Sequence, residues 1–281
     1  MKILILSDIH ANWPALQAVL AAEPQVDGVI CLGDLVNYGP HPVECVRWAQ
    51  ANAVPDWIVQ GNHDRAVGCD EDPRCSAPYR PLAAAMQRYT AGRLDAAAKA
   101  YLAGLPAGEF NKAGNARCFL CHAIPSDPLY GYLQLRDPRA RWEAEIHLAN
   151  RPDFLLVGHT HQPCVRLINS TLVVNPGSVG QPKGGDPRAS YALWSDGDVM
   201  LRRAEYDVRA VARDLAFCEL PDVARDLTHV LLTGGDLALQ FNAKTGMAET
   251  RSGAPRPSGT APEAIRRDLE VLQQWNSDAQ L

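Results

Sequence analysis

The feature that most constrains this chain is a repeated run-and-stop pattern: short apolar stretches that each halt on a polar cluster. "ILIL" (3–6) stops on Ser7 and Asp8, "GVICLGD" (28–34) closes on Asp34, and "WIVQGNHD" (57–64) closes on Asn62, His63 and Asp64, with helical-looking stretches between them. Such alternation argues for βαβ units and a largely parallel sheet, with polar side chains at the carboxyl ends of strands. The first connection, "NWPALQAVLAAEP", reads as a crossover helix, because Asn12 can cap it, Pro14 sits near its first turn, and Leu16, Val19 and Leu20 share one face.

From Ala116 onward the strands return as "ARCFLCHA", "PDFLLVGH", "RLINSTLVVNPGS" and "ASYALWSDGDVMLRRAEY", separated by Gly, Pro, Asn and Asp turns. The last of these have hairpin spacing, so a second sheet is expected. Residues 65–109 hold a polar loop and then an Ala-rich helical stretch, read as a helical insertion that either packs on the core or acts as a lid. Residues 207–233 read as two short C-terminal helices around "LPD". The expected organisation is one domain over residues 1–233 and a C-terminal extension over 234–281. Within the extension, 243–262 is expected as a flexible linker and "APEAIRRDLEVLQQW" as a terminal helix.

Composition narrows the class. The 281 residues are 47% hydrophobic and 21% charged with a net charge of −5, which argues against a nucleic-acid stripe or a membrane surface. "MKILILSDIH" is interrupted by Asp8 too early for a signal peptide or a membrane span, so a cytoplasmic protein is expected. The eight cysteines (31, 45, 69, 75, 118, 121, 164, 218) form no regular framework and are expected to be reduced. Cys118 and Cys121 have zinc-knuckle spacing but lack a second pair, and Cys69 and Cys75 read as two ordinary loop thiols.

The polar stops share a chemistry. Asp8 and His10 come from "SDIH", Asp34 from "LGD", Asn62 and His63 from "GNHD", His122 from "CHA", and His159 and His161 from "FLLVGHTHQP". All eight carry oxygen or nitrogen atoms of the kind that bind a metal. On an extended segment Asp8 and His10 face the same side and can converge on one ion while Ile9 points into the core. His159 and His161 can do the same around Thr160, or a turn can aim them at two neighbouring ions. Mixed carboxylate, amide and imidazole donors suit manganese, iron, zinc or cobalt.

The ordered blocks "SDIH", "LGDLV", "GNHD", "CHA" and "GHTH" resemble the calcineurin-like metallophosphoesterase superfamily. "GDLVNYGP", "HAIPSDPLYGYL" and "VVNPGSVGQPKGGDPRASYAL" extend the resemblance to its bacterial YfcE-type phosphodiesterase branch, over about residues 1–233. The resemblance implies an α/β fold, a sandwich of two mixed sheets flanked by helices (α/β/β/α). It implies two divalent metal ions, manganese foremost, with iron, zinc, cobalt or nickel as alternatives. Asp8, His10 and His161 would hold the first ion, Asn62, His122 and His159 the second, and Asp34 would bridge them. A metal-bridging hydroxide would attack phosphorus, and His63 would protonate the leaving oxygen. The implied substrate is a small nucleotide-like phosphodiester; a phosphomonoesterase or a dinucleoside polyphosphate hydrolase is the rival reading. A non-catalytic scaffold resembling the retromer subunit of this fold would be expected to have lost ligands retained here.

Three departures from the family pattern matter. Protein phosphatases of the superfamily carry "GDxVDRG", whose second aspartate orients the catalytic histidine and whose arginine clips phosphate. Here Asn37 and Tyr38 stand in those places. Support for His63 is then sought at Asp64, and Arg65 or Arg188 is a candidate substitute for the arginine. Ala123 follows the ligand His122 where relatives commonly have glycine. "NPGS" (175–178) reads equally as a tight turn or as a substrate contact.

Overall fold

The computed structural model describes residues 1–53, 55–75, 80–195, 197–218, 220, 226–227, 230–231, 234–235, 239–242 and 247–250. Strand β1 (Lys2–Leu6) is buried on both faces, as its unbroken apolar run requires. Ile3 and Ile5 enter a core between two sheets, while Leu4 and Leu6 enter a second core under helices. Asn12 then caps α1 (Trp13–Ala22) by accepting the Ala15 N–H at 3.2 Å. The helix returns the chain to β2 (Gly28–Cys31), parallel to β1. Helix α2 (Pro42–Asn52) covers the same face, its Val46 and Ala49 packing with Leu16 and Val19 of α1.

The third apolar run does not become a regular strand. Pro55–Trp57 forms a 3₁₀ turn, only Ile58 bridges to Cys31, and Gly61 already caps α3 (Asn62–Cys69). Proline has no ladder donor, and the three residues left before the cap are too few for a strand. Asn62 and His63 therefore stand in the first turn of a helix, not at a strand end. Helices α4 (Arg80–Arg93) and α5 (Ala96–Gly104) follow. Leu102 of α5, with Leu94 and Leu105, is part of the helix-covered core.

The second sheet contains β3 (Gly108–Ala113), β4 (Ala116–Cys121), β5 (Phe154–Leu156), β6 (Cys164–Ile168) and β7 (Thr171–Asn175), in the order β3-β4-β5-β7-β6. Its central strands are parallel and its edges antiparallel. One face (Cys118, Leu120, Leu156, Val174) meets Ile3 and Ile5; the other (Phe119, Cys121, Leu155, Val173) carries helix α6 (Arg139–Leu148) through Trp142 and Ile146. Cys118 and Cys121 thus point to opposite faces and cannot share an ion.

Strands β8 (Ala189–Ser195) and β9 (Asp198–Ala204) form a hairpin that returns to the first sheet, giving the order β2-β1-β8-β9. That sheet is mixed, not largely parallel. A short hairpin connection permits only antiparallel pairing, and β8 fills the open edge of β1. Helix α7 (Val208–Ala216) packs Val211 and Leu215 against Tyr38 and against Leu82, Ala83 and Met86 of α4. The second helix expected within 207–233 lies mostly outside the described residues. In the extension, β10 (Leu239–Asn242) and β11 (Met247–Thr250) pair antiparallel, so residues 247–250, assigned to a linker, are strand. The expected terminal helix lies outside the described residues.

Candidate functional site

Loops after β1, β2, β4 and β5 and the first turn of α3 bring all eight expected residues to one buried cleft. Asp8, His10, Asp34, Asn62, His63, His122, His159 and His161 are each at most 8% exposed. The local backbone is unusual: Asp8, His10, Ala11, Asp34, Asn37, Tyr38, His159 and His161 all have φ between +47 and +74°. Residues with a β-carbon are strained there, and the surrounding contacts must hold them. Here the loops hydrogen-bond to one another: Asp8 N–H to the Gly33 carbonyl (3.0 Å), His10 N–H to the Asp34 carbonyl (2.9 Å), and Gly180 N–H to the Asp8 carbonyl (3.0 Å). Asp8 and His10 therefore converge through two kinks, not through an extended alternation, although Ile9 does enter the core. Gly61 is required because a β-carbon there would collide with the Asp34 side chain, and Gly158 because one there would collide with Ser7 Oγ.

The imidazole protons are directed outward. Nδ1 of His10, His122 and His161 meets the carbonyls of Val36 (3.2 Å), Leu32 (2.7 Å) and Gln181 (2.6 Å). A carbonyl only accepts, so each Nδ1 donates and each neutral ring aims the Nε2 lone pair inward. There acceptors confront acceptors. His10 Nε2 lies 3.1 Å from His161 Nε2, and Asp8 Oδ1, 3.2 Å from His161 Nε2, is buried without a hydrogen-bond partner. On the other side, His122 Nε2 lies 3.1 Å from both Asn62 Oδ1 and His159 Nδ1, and 3.2 Å from Asp34 Oδ2. Two atoms each about 2.1 Å from one cation and at right angles to each other sit about 3 Å apart, so these spacings fit shared coordination. Two donor groups form, Asp8–His10–His161 and Asp34–His122–His159; His63 forms a third with His10 and Asp34.

The electrostatics agree. Burial pushes His10 down to about 3 and His63 down to about 4 despite the pull of Asp34 on each. His159 is held well below the ordinary imidazole range by burial and then by His122. Burial would raise Asp8 and Asp34, but neighbouring imidazoles, His161 for the first and His122 for the second, hold both well below the carboxylate range. Burial also lowers His122, yet Asp34 and then Asp8 lift it up to about 9. Asp34 and Asp8 favour a proton on His122 Nε2, and a divalent cation that replaces that proton turns this nitrogen into a lone-pair donor like those of His10 and His161.

His63 has its own support. Its backbone N–H donates to Asp34 Oδ1 at 2.8 Å, and Nδ1 accepts from Asn37 Nδ2 at 2.7 Å. The Ala83 carbonyl, 3.4 Å from the same nitrogen, fixes the amide orientation. His63 then carries its proton on Nε2, which faces Cys75 Sγ at 3.4 Å; that sulfur also lies 3.3 Å from Tyr38 Oη. Asp64, expected to support His63, does something else. Its carboxylate accepts the N–H groups of Asp34 (2.8 Å), Leu35 (2.8 Å) and Gly61 (3.0 Å), tying the Asp34 loop to the start of α3. Cys75 is likewise not an ordinary loop thiol. It is buried beside the cleft, and burial raises the thiol to about 11, so it stays protonated.

The remaining candidates are structural or engaged elsewhere. Asn175 Nδ2 donates to the Gly158 carbonyl (2.8 Å) and to Thr160 Oγ1 (3.1 Å), and Ser178 Oγ donates to the Asp8 carbonyl (2.8 Å). "NPGS" therefore braces the loops that carry His159, His161 and Asp8. Arg65 forks onto Glu71 at 2.8 and 3.1 Å, and Arg188 lies 2.7 Å from Asp186. Asn37 as the partner of His63, Cys75 and the loop after Ser178 were missed by sequence reasoning; the replaced aspartate at position 37 was the one available signal.

A helix-flanked double sheet with such a donor set at its strand ends has the architecture of a metal-dependent hydrolase of phosphoric esters. The chain belongs to the calcineurin-like phosphoesterase superfamily, whose domain model matches residues 1–196. It is 29% identical to the Methanocaldococcus jannaschii protein MJ0912 over 241 residues, 78% of this chain and 94% of that one. It is 28% identical to the phosphodiesterase YfcE of Escherichia coli K12 over 217 residues, 76% of this chain and 97% of that one. A crystal structure of a metallophosphoesterase from Sphaerobacter thermophilus is similar with a TM-score of 0.68 and 32% identity, covering 83% of this chain and 99% of that one. Among the described residues no helix is long and apolar enough to cross a membrane.

Proposed function

We propose that the chain is a phosphodiesterase that uses two divalent cations, manganese foremost, on small nucleotide-like diesters. One observation carries the reading: the Asp34 carboxylate faces both donor groups, its Oδ2 lying 3.7 Å from His10 Nε2 and 3.2 Å from His122 Nε2. Asp8, His10 and His161 would hold one cation, Asn62, His122 and His159 the other, and Asp34 would be shared. When bound, such a pair activates water and neutralises charge on phosphoryl oxygens. His63 supplies the remaining chemistry, giving its Nε2 proton to the leaving oxygen, while Asn37 holds the ring in the tautomer that makes this possible. Ser7 and the His159 N–H, donating to Asp8 Oδ2 at 2.6 and 3.1 Å, keep Oδ1 turned toward the first cation position.

Diester preference follows from charge. The phosphatase arginine is Tyr38 here, and Arg65 and Arg188 are held by acidic partners. A cleft with less positive charge suits the single negative charge of a diester. The phosphoesterase unit is assigned to residues 1–233, with 234–281 as an extension. Eight cysteines without disulfides support a reducing, cytoplasmic setting. The test compares bis-p-nitrophenyl phosphate with p-nitrophenyl phosphate, using purified manganese-loaded protein. Faster turnover of the diester is expected, and faster turnover of the monoester would overturn the assignment.

A further inference from the structure

Behind the second donor group lies a recess that metal binding does not use. It is bounded by the loop that follows His122, by α6 and by the loop that carries His159, and it measures about 470 Å³ to its open mouth. Its inner wall is one layer of backbone from the candidate site. The lining residue Ala123 follows His122 directly, and Thr160 stands between His159 and His161. Gly158, on the same wall, is so close to the carboxylate that a β-carbon there would come within 3.0 Å of Asp8 Oδ2. The half-exposed Tyr132 ring lies against His159 with ring centroids 4.3 Å apart, and its chain neighbours Gly131 and Leu133 both line the recess.

The opposite wall carries Trp142 of α6. This side chain is 2% exposed, yet its Nε1–H is buried without an acceptor among the described residues. Arg166 covers the ring, with Cζ 5.6 Å from the centroid, and donates Nη1–H to the carbonyl of Leu135, another lining residue, at 3.2 Å. Packing therefore holds the indole, and its own donor serves no contact of the fold. A leucine would fill a core without that unmatched donor, whose cost an incoming acceptor removes. The acidic residue of the lining, Glu145, is already engaged by Ser126 through its N–H and Oγ, at 2.9 and 2.7 Å. A mostly apolar recess with one unmatched donor suits a flat, uncharged ring that bears an acceptor.

We propose that this recess is the base subsite: it takes the nucleobase of the substrate, a ring carbonyl or ring nitrogen of which accepts the Trp142 Nε1–H, while the phosphate lies on the two donor groups. This rests on the phosphodiesterase reading and adds what selects the nucleotide-like arm of the diester.

The test uses the full-length, manganese-loaded protein and two diesters, thymidine 5′-(p-nitrophenyl phosphate) and methyl p-nitrophenyl phosphate. They share the phosphodiester and the leaving group, and only the first carries a base. Trp142→Phe keeps an aromatic ring and removes the N–H. It is expected to lower kcat/KM for the thymidine ester about threefold to tenfold, mainly through KM, the scale of one neutral hydrogen bond. Turnover of the methyl ester should stay within twofold. Leu135→Trp, at an exposed position on the mouth, should discriminate in the same way by obstructing the recess, without disturbing the core. Equal losses on both esters in the two variants, or no loss on either, would overturn the subsite. A wild-type protein that cleaves neither ester would overturn the phosphodiesterase reading. Calorimetric titration with thymidine 5′-monophosphate then decides the recess: binding weakened in Leu135→Trp would leave it standing, and binding unchanged would overturn it too.

Discussion

His159 and His161 are two residues apart yet face different partners. His161 Nε2 meets His10 Nε2 at 3.1 Å, while His159 Nδ1 meets His122 Nε2 at 3.1 Å. The left-handed backbone at both positions separates two side chains that an extended segment would aim together. Their substitutions should therefore be separable. His161→Ala should deplete the cation bound with Asp8 and His10, and His159→Ala the one bound with His122. Metal content and spectroscopy of cobalt-loaded variants check this, and identical spectra from the two variants would contradict it. His63→Ala should lower kcat by roughly 10²–10⁴, the usual contribution of a general acid, with metal content unchanged. That these side chains share one cleft was legible because Asp, Asn and His recur where the apolar runs end. The support of His63 was not. It depends on where the Asn37 turn and the loop to Cys75 come back in space, and Asp64, the nearest sequence candidate, is taken up by three backbone N–H groups.

At the scale of elements, Asp64 makes the junction of the β2 loop with α3 a testable joint. Replacing it with alanine leaves the buried N–H groups of Asp34, Leu35 and Gly61 without their acceptor, and should cost roughly 3 kcal/mol in a denaturant titration. Asp64→Asn, which keeps an acceptor oxygen, should cost less. Glu23, just beyond α1, joins that helix to strands β1, β8 and β9: Lys2 Nζ at 2.8 Å, the Tyr191 hydroxyl at 3.1 Å and Arg202 at 2.9 Å. Burial would raise its carboxyl, but Lys2 and Tyr191 hold it below the usual value. A depressed folded-state pKa gives stability that is present above the unfolded value of about 4.3 and is lost as pH falls through the folded one. Glu23→Gln should therefore be less stable than wild type at pH 7, with the gap closing in acid below about pH 4. A gap that widens in acid would contradict this. The crossover helix α1, its cap and the buried β1 were legible from local pattern alone. Helix α6 was not anticipated, because only Trp142 and Ile146 of its ten residues are buried and the apolar stripe is thin. The antiparallel β8 beside β1 was also not anticipated: pairing between residues 2–5 and 192–195 is a long-range choice made by the shared core, not by either strand.

For the molecule as a whole, the two sheets press their apolar faces together and leave the carboxylates and imidazoles gathered where their strands end. The arrangement buries two carboxylates that only neighbouring imidazoles balance, so a divalent cation placed among them should add stability. Removing the metal should therefore lower stability as well as activity. Chelation with EDTA should abolish ester hydrolysis and lower Tm, and added manganese should restore both. The most direct test of the account is the metal content of manganese-reconstituted protein, measured by plasma mass spectrometry against amino-acid analysis. The account requires two manganese ions per chain. One ion, or none, would contradict a centre built from two donor groups that share Asp34.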